Sequence, residues 1–161
     1  STLFDVSGDR SGFRQPFEKK KMALKITLKP NEKMVVGGAV IANGNIKNID
    51  LIIENNVPIL RQKDILSEKD ATSPCRRIYF FIQLMYIDEE NMATLQHTYW
   101  ELVRELLEAV PRLAGLIDQI NENILSGNCY RALKLAGELI DYEQEVIEYV
   151  HATTDPIPES L

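Results

Sequence analysis

From Leu24 to Arg61 the apolar residues recur with a period of two. Leu24, Ile26 and Leu28 alternate with Lys25, Thr27 and Lys29, the pattern of a strand with one face on a core and the other in water. Pro30-Asn31 predicts a turn into the short strand "KMVVG". Gly37-Gly38 allows a tight reversal into "AVIAN", and Asn43-Gly44-Asn45 turns the chain again. "NIDLIIEN" and "VPILR" complete five strands. From Ser73 the period becomes that of a helix. Ser73 is a natural N-cap with Pro74 in the first turn, and "CRRIYFFIQLMYI" is apolar nearly all round, which predicts a buried helix. Asp88-Glu89-Glu90-Asn91 separates it from a second helix, whose stripe is Met92, Leu95, Tyr99, Leu102, Val103, Leu106, Leu107 and Val110. Pro111 opens a third, with Leu113, Leu116, Ile117, Ile120, Ile124 and Leu125 on one side and Gly127 as its C-terminal cap. A fourth starts near Cys129, with Leu133, Ala136, Ile140, Ile147 and Val150 on one side. The predicted class is α+β, a small antiparallel β-sheet followed by a helical bundle of about four helices.

The pattern divides the chain into a leader over residues 1–21, a sheet domain over 22–66, a helical domain over 67–151 and a flexible tail over 152–161. The leader mixes Gly, Ser, Pro and charge without a period, and Met22 opens the first periodic segment. Met22 is therefore the expected natural start, with the leader an extension dispensable to the fold. The chain has 161 residues and a net charge of −6, spread unevenly. Residues 1–21 carry +2, residues 22–70 carry +1 and residues 71–161 carry −9. A nucleic-acid surface therefore belongs in the first 70 residues, because an acidic surface repels phosphates. Cys75 and Cys129 lack CxxC spacing and read as reduced thiols, and the start of the chain is no secretory signal. Both point to a cytoplasmic protein, and no stretch is apolar enough to span a membrane.

The chain carries few motifs of recognisable chemistry. Gly37-Gly38 is not followed by Lys-Ser/Thr, and no GxGxxG opens a helix, so hairpin glycines are the better reading than a phosphate cradle. His97 and His151 lack partners at metal-ligand spacing. Cys75, at a helix N-terminus, is placed for a lowered pKa, but no histidine lies near it in sequence. No catalytic residue, metal or cofactor is expected, and the chain does not read as an enzyme. Basic residues do gather at the ends of the sheet: Lys25, Lys29, Lys33, Arg61 and Lys63. Arg76-Arg77 adds charge at the start of the first helix, where Tyr79, Phe80, Phe81 and Tyr86 are spaced as core.

The stretches "LKITLKPNEKMVVGGAVIANG", "PILRQKDIL", "TSPCRRIYFFIQLMYI" and "ILSGNCYRALKLAGELIDYEQEVI" together resemble the FlbT family of flagellin post-transcriptional repressors. That resemblance implies binding to the 5′ untranslated region of flagellin mRNA, promotion of its decay, and FlaF or flagellin as protein partners. The opening strand is also similar to CsrA-type translational repressors, with Thr27, Lys29, Glu32 and Gly37 matching in type or place and Arg61 in the position of an RNA-contacting arginine. Leu28 stands where that family has its first arginine, and the spacing after Arg61 is one residue longer. With Arg61 in the place that the CsrA resemblance implies, the basic cluster makes Arg61, Lys63, Lys25 and Lys29 the expected RNA site, and five short strands whose edges cannot all be covered in one small unit predict dimerisation through the sheet. Two alternatives stay open: Arg61 pairs with Asp64 or Glu54 to hold the sheet end, or the chain is a protein-binding adaptor or chaperone that acts on flagellin or with FlaF, without direct RNA contact.

Overall fold

The computed structural model describes residues 23–154, so the expectations for the leader and for residues 155–161 lie outside the described residues. Two compact units follow one another, dividing between Asp64 and Ile65.

The first unit holds five strands: β1 (Leu24–Leu28), β2 (Lys33–Val36), β3 (Ala39–Ala42), β4 (Ile49–Ile53) and β5 (Ile59–Arg61). All pairings are antiparallel, but the strands form two ladders. β1 pairs with β4, Ile26 opposite Leu51, and β2 pairs with both β3 and β5. Ile26, Leu28 and Met34 form the buried centre, with Val36, Ile41, Ile49, Leu51, Ile53 and Ile59 packed around it. Two turns fix the register. Pro30 and Asn31 are the central residues of a type II turn: Asn31 has φ +66° and the Glu32 amide donates to the Lys29 carbonyl at 3.0 Å. Gly37, at φ +62°, opens the two-residue β2–β3 reversal, where a side chain would be strained.

A buried asparagine ties the two ladders together. Asn43 is 1% exposed. Its amide nitrogen donates to the carbonyls of Leu28 (3.0 Å) and Lys47 (2.9 Å), and its side-chain oxygen accepts from the Asn45 amide at 2.8 Å. Its backbone amide donates to Glu32 and its carbonyl accepts from Asn31. The end of β1, the type II turn and the 43–47 turn therefore meet on one residue.

The second unit holds α1 (Pro74–Ile87), α2 (Met92–Ala109), α3 (Ala114–Leu125) and α4 (Cys129–Thr154). α1 packs against both α2 and α4, and α3 packs on α4. This central place accounts for its apolar circumference: Ile78, Ile82 and Met85 are fully buried. Phe80 and Phe81 are only partly buried and meet edge to face, with centroids 5.9 Å apart. Buried Gln83 clamps the preceding loop by accepting from the Leu66 amide (2.8 Å) and donating to the Leu66 carbonyl (2.9 Å). α3 ends in a Schellman motif, in which Gly127 at φ +85° donates to Ile124 and Asn128 donates to Asn123.

The helical stripes need three corrections. Leu125 is 71% exposed, because it lies in the last turn of α3, just ahead of that reversal. Ile147 and Val150 are also exposed, although they continue the face that is core from Cys129 to Leu139. The reason lies in where the neighbours start. Glu143 accepts from the Ser73 hydroxyl and, at 3.2 Å, from the Cys75 amide at the head of α1. The Tyr142 hydroxyl accepts from Arg112 at the entry to α3. Beyond this level α4 runs on to Thr154 with every residue from Gln144 exposed.

Candidate functional site

The sheet unit carries an open groove of about 520 Å³ lined by Lys29, Pro30, Asn31, Glu32, Gln62 and Lys63. One wall is the type II turn, and the other is the short 3-10 turn Gln62–Asp64 that follows β5. The β2–β5 register brings the two walls together, because it sets Met34 opposite Arg61. Lys29 and Lys63 thus face one depression, although 34 positions separate them. Neither lysine forms an ion pair among the described residues.

Arg61 stands behind this groove as a brace. Its guanidinium donates to the Thr27 carbonyl at 3.1 Å and pairs with Glu32 at 3.3 Å. The partner is thus Glu32, and neither Asp64 nor Glu54 takes that role. The arginine Nε is buried without a hydrogen-bond partner among the described residues. The other Glu32 oxygen accepts from the Lys29 amide at 2.9 Å. That backbone bond, with the Arg61 guanidinium behind it, holds the Glu32 carboxyl below its ordinary range, against a smaller opposing effect of burial. A depressed carboxylate contributes stability above its unfolded value of 4.5, and that contribution is lost as pH falls through the lowered folded value. Acid titration of the wild type and of Glu32→Gln checks this. The melting temperatures should differ at neutral pH and converge below the ordinary carboxylate range, and a constant gap would refute the brace.

Lys25 is not part of the groove. It lies four residues from Lys29 along the chain, about 13 Å at strand spacing. It is exposed on the outer face of the β1–β4 ladder and pairs with Asp50 at 3.5 Å. The Thr27 hydroxyl also donates to Asp50, at 2.7 Å. That hydroxyl and the Lys25 charge lower the Asp50 pKa. Two groove residues, Asn31 and Gln62, carried no functional signal in the sequence. Asn31 read only as a turn, and Gln62 was one polar residue after a strand.

Cys75 is not activated. Burial pushes its thiol up to about 12, and the Glu143 carboxylate beside it adds to the rise. The helix N-terminus that should favour a thiolate is already occupied by that carboxylate. Cys129 is likewise buried and its pKa raised, first by burial and then by Glu89. No group of three metal-ligating side chains occurs among the described residues, and no helix there is long and apolar enough to cross a membrane.

Comparison with known proteins gives one consistent result. The family model described as flagellar protein FlbT matches residues 24–147. The chain is 46% identical over 132 residues to the probable flagellum biosynthesis repressor protein FlbT 1 of Bradyrhizobium diazoefficiens, covering 82% of this chain and 90% of that one. It is 39% identical to the probable flagellum biosynthesis repressor protein FlbT of Rhodopseudomonas palustris, covering 78% and 98%. It is 35% identical to the flagellum biosynthesis repressor protein FlbT of Caulobacter vibrioides, covering 80% and 92%. No solved structure matches, so the likeness to CsrA-type repressors rests on sequence.

Proposed function

The chain belongs to the FlbT family of flagellar proteins, and from that premise we propose that it represses flagellin synthesis by binding the 5′ untranslated region of flagellin mRNA in the Lys29–Lys63 groove and promoting decay of the message. The relatives are named repressors of flagellum biosynthesis, a regulatory role that requires no catalytic site. The observation that carries the RNA reading is a pair of lysines that line one depression and form no ion pair among the described residues, in a chain that is acidic overall. Phosphates supply most of the affinity of such sites, and single-stranded loops are read by side chains at strand ends. Bound protein acts by occluding the leader or exposing it to a nuclease.

Lys29 and Lys63 contact phosphate in this reading, Lys25 extends the basic track along β1, and Arg61 positions the turn. A gel shift with a flagellin leader at several salt concentrations tests it. Lys63→Gln should weaken binding, reduce the salt slope by about 1 and leave the melting temperature unchanged. Arg61→Ala should lower the melting temperature as well as affinity, and Arg61→Lys should restore only part of both, because one ammonium cannot reproduce the planar fork. Absence of any shift at low salt would overturn the RNA reading.

A second reading has its own observation. Val146, Ile147 and Val150 form an uncovered apolar stripe on α4, suited to a protein partner such as FlaF or flagellin. Adding FlaF to the gel shift separates an antagonist of RNA binding from an independent ligand. A homodimer is the proposed assembly, since β3 is an edge strand with Val40 68% exposed, and light scattering reads it directly.

A further inference from the structure

The two lysines and Gln62 present donors to the groove, while the Asn31 amide brings both a donor and an acceptor. Gln62 lines it, and its side-chain oxygen is held by the Lys33 amide at 2.6 Å. That bond fixes the orientation of the amide, because flipping it would set NH₂ against a backbone N–H. The NH₂ group is left without a partner among the described residues. The Glu32 carboxylate, the one charged acceptor on the lining, is engaged on both oxygens, by the Lys29 amide and by Arg61. Lys29 and Lys63 add only N–H donors. The volume, about 520 Å³, lies in the range of small-ligand sites.

We propose that Gln62 is a specificity-determining residue which makes this groove select a keto-bearing base, uracil or guanine, over an amino-bearing one in single-stranded RNA. The inference rests on the RNA reading of the groove and adds base choice to it. The amide NH₂ donates to a carbonyl at the ring position where uracil has O4 and guanine has O6. Cytosine and adenine place an amino group there, so two donors meet and one is left unsatisfied. Phosphates on either side of the base are left to Lys29 and Lys63.

Fluorescence anisotropy with uridine and cytidine homopolymers of about 12 nucleotides tests the choice, since these oligomers differ at the ring 4-position while sharing a backbone. The wild type should favour oligo-U by roughly 3- to 10-fold, the value of one hydrogen bond. In Gln62→Glu one carboxylate oxygen still accepts the Lys33 amide while the other faces the groove as an acceptor. This variant should bind both oligomers less tightly and invert the ratio toward oligo-C. Gln62→Ala should bind both with equal affinity. If neither oligomer binds the wild type at low salt, the RNA reading falls and this inference with it. If both bind equally, or Gln62→Glu lowers both affinities by the same factor, the base choice is overturned while the RNA reading stands.

Discussion

Asn43→Ala is expected to cost the sheet unit roughly 2–4 kcal/mol, more than any substitution on its polar surface. The side chain is 1% exposed and satisfies the carbonyls of Leu28 and Lys47 and the amide of Asn45. Alanine leaves three backbone groups without partners, and a buried unmade bond costs more than a made one contributes. The replacement also loosens a tie between the β1–β4 and β3–β2–β5 ladders, which the Arg61–Thr27 bond and the shared core also join. Asn43→Asp should be no better, because it is isosteric but sets a carboxylate oxygen against two carbonyls. Urea unfolding followed on the amide signals of the strands provides the measurement. An unchanged midpoint for both variants would mean that water takes over all three bonds and that the ladders hold without this tie.

Ile82→Ala is expected to destabilise the helical unit by roughly 2–5 kcal/mol, and Phe80→Ala by less, although phenylalanine loses the larger side chain. Ile82 is fully buried on a helix packed by α2 and α4. Its deletion leaves a void that rigid neighbours cannot close. The Phe80 ring is partly exposed and meets Phe81 edge to face, so its removal leaves a smaller void, part of it already open to water. Trp100, the single tryptophan, lies on α2 and reports unfolding of this unit by fluorescence. A larger loss for Phe80→Ala would show that the ring is core.

Much of this architecture is legible in the chain because it follows from local rules. The period-two run, Pro30-Asn31 and Gly37-Gly38 place β1 to β3 correctly, and Ser73-Pro74 starts α1 where the structure does. What is not legible depends on register and on neighbours. Glu32 becomes the partner of Arg61 only because the β2–β5 pairing sets Met34 opposite Arg61, whereas sequence distance favours Asp64 or Glu54. Asn43 reads as a turn residue, and nothing local reveals that the end of β1 closes over it. Val150 has the right helical phase for a core position, but phase cannot show where α1 and α3 begin. The groove combines both cases: its lysines stand out by charge, while Gln62 gains meaning only from the Lys33 amide.

The long fourth helix has a further consequence. It is one hydrogen-bonded rod that leaves a packed bundle near Glu143 and continues in water to Thr154. Amides before that point are released only when the bundle opens, whereas those after it are released by local unwinding of the exposed turns. Hydrogen exchange along α4 should therefore rise steeply past Glu143, with protection before it near the global limit and falling toward that of an isolated short helix beyond. Uniform protection through Thr154 would contradict this. The Glu143 carboxylate, locked to the head of α1, then acts as the stop at which unwinding halts.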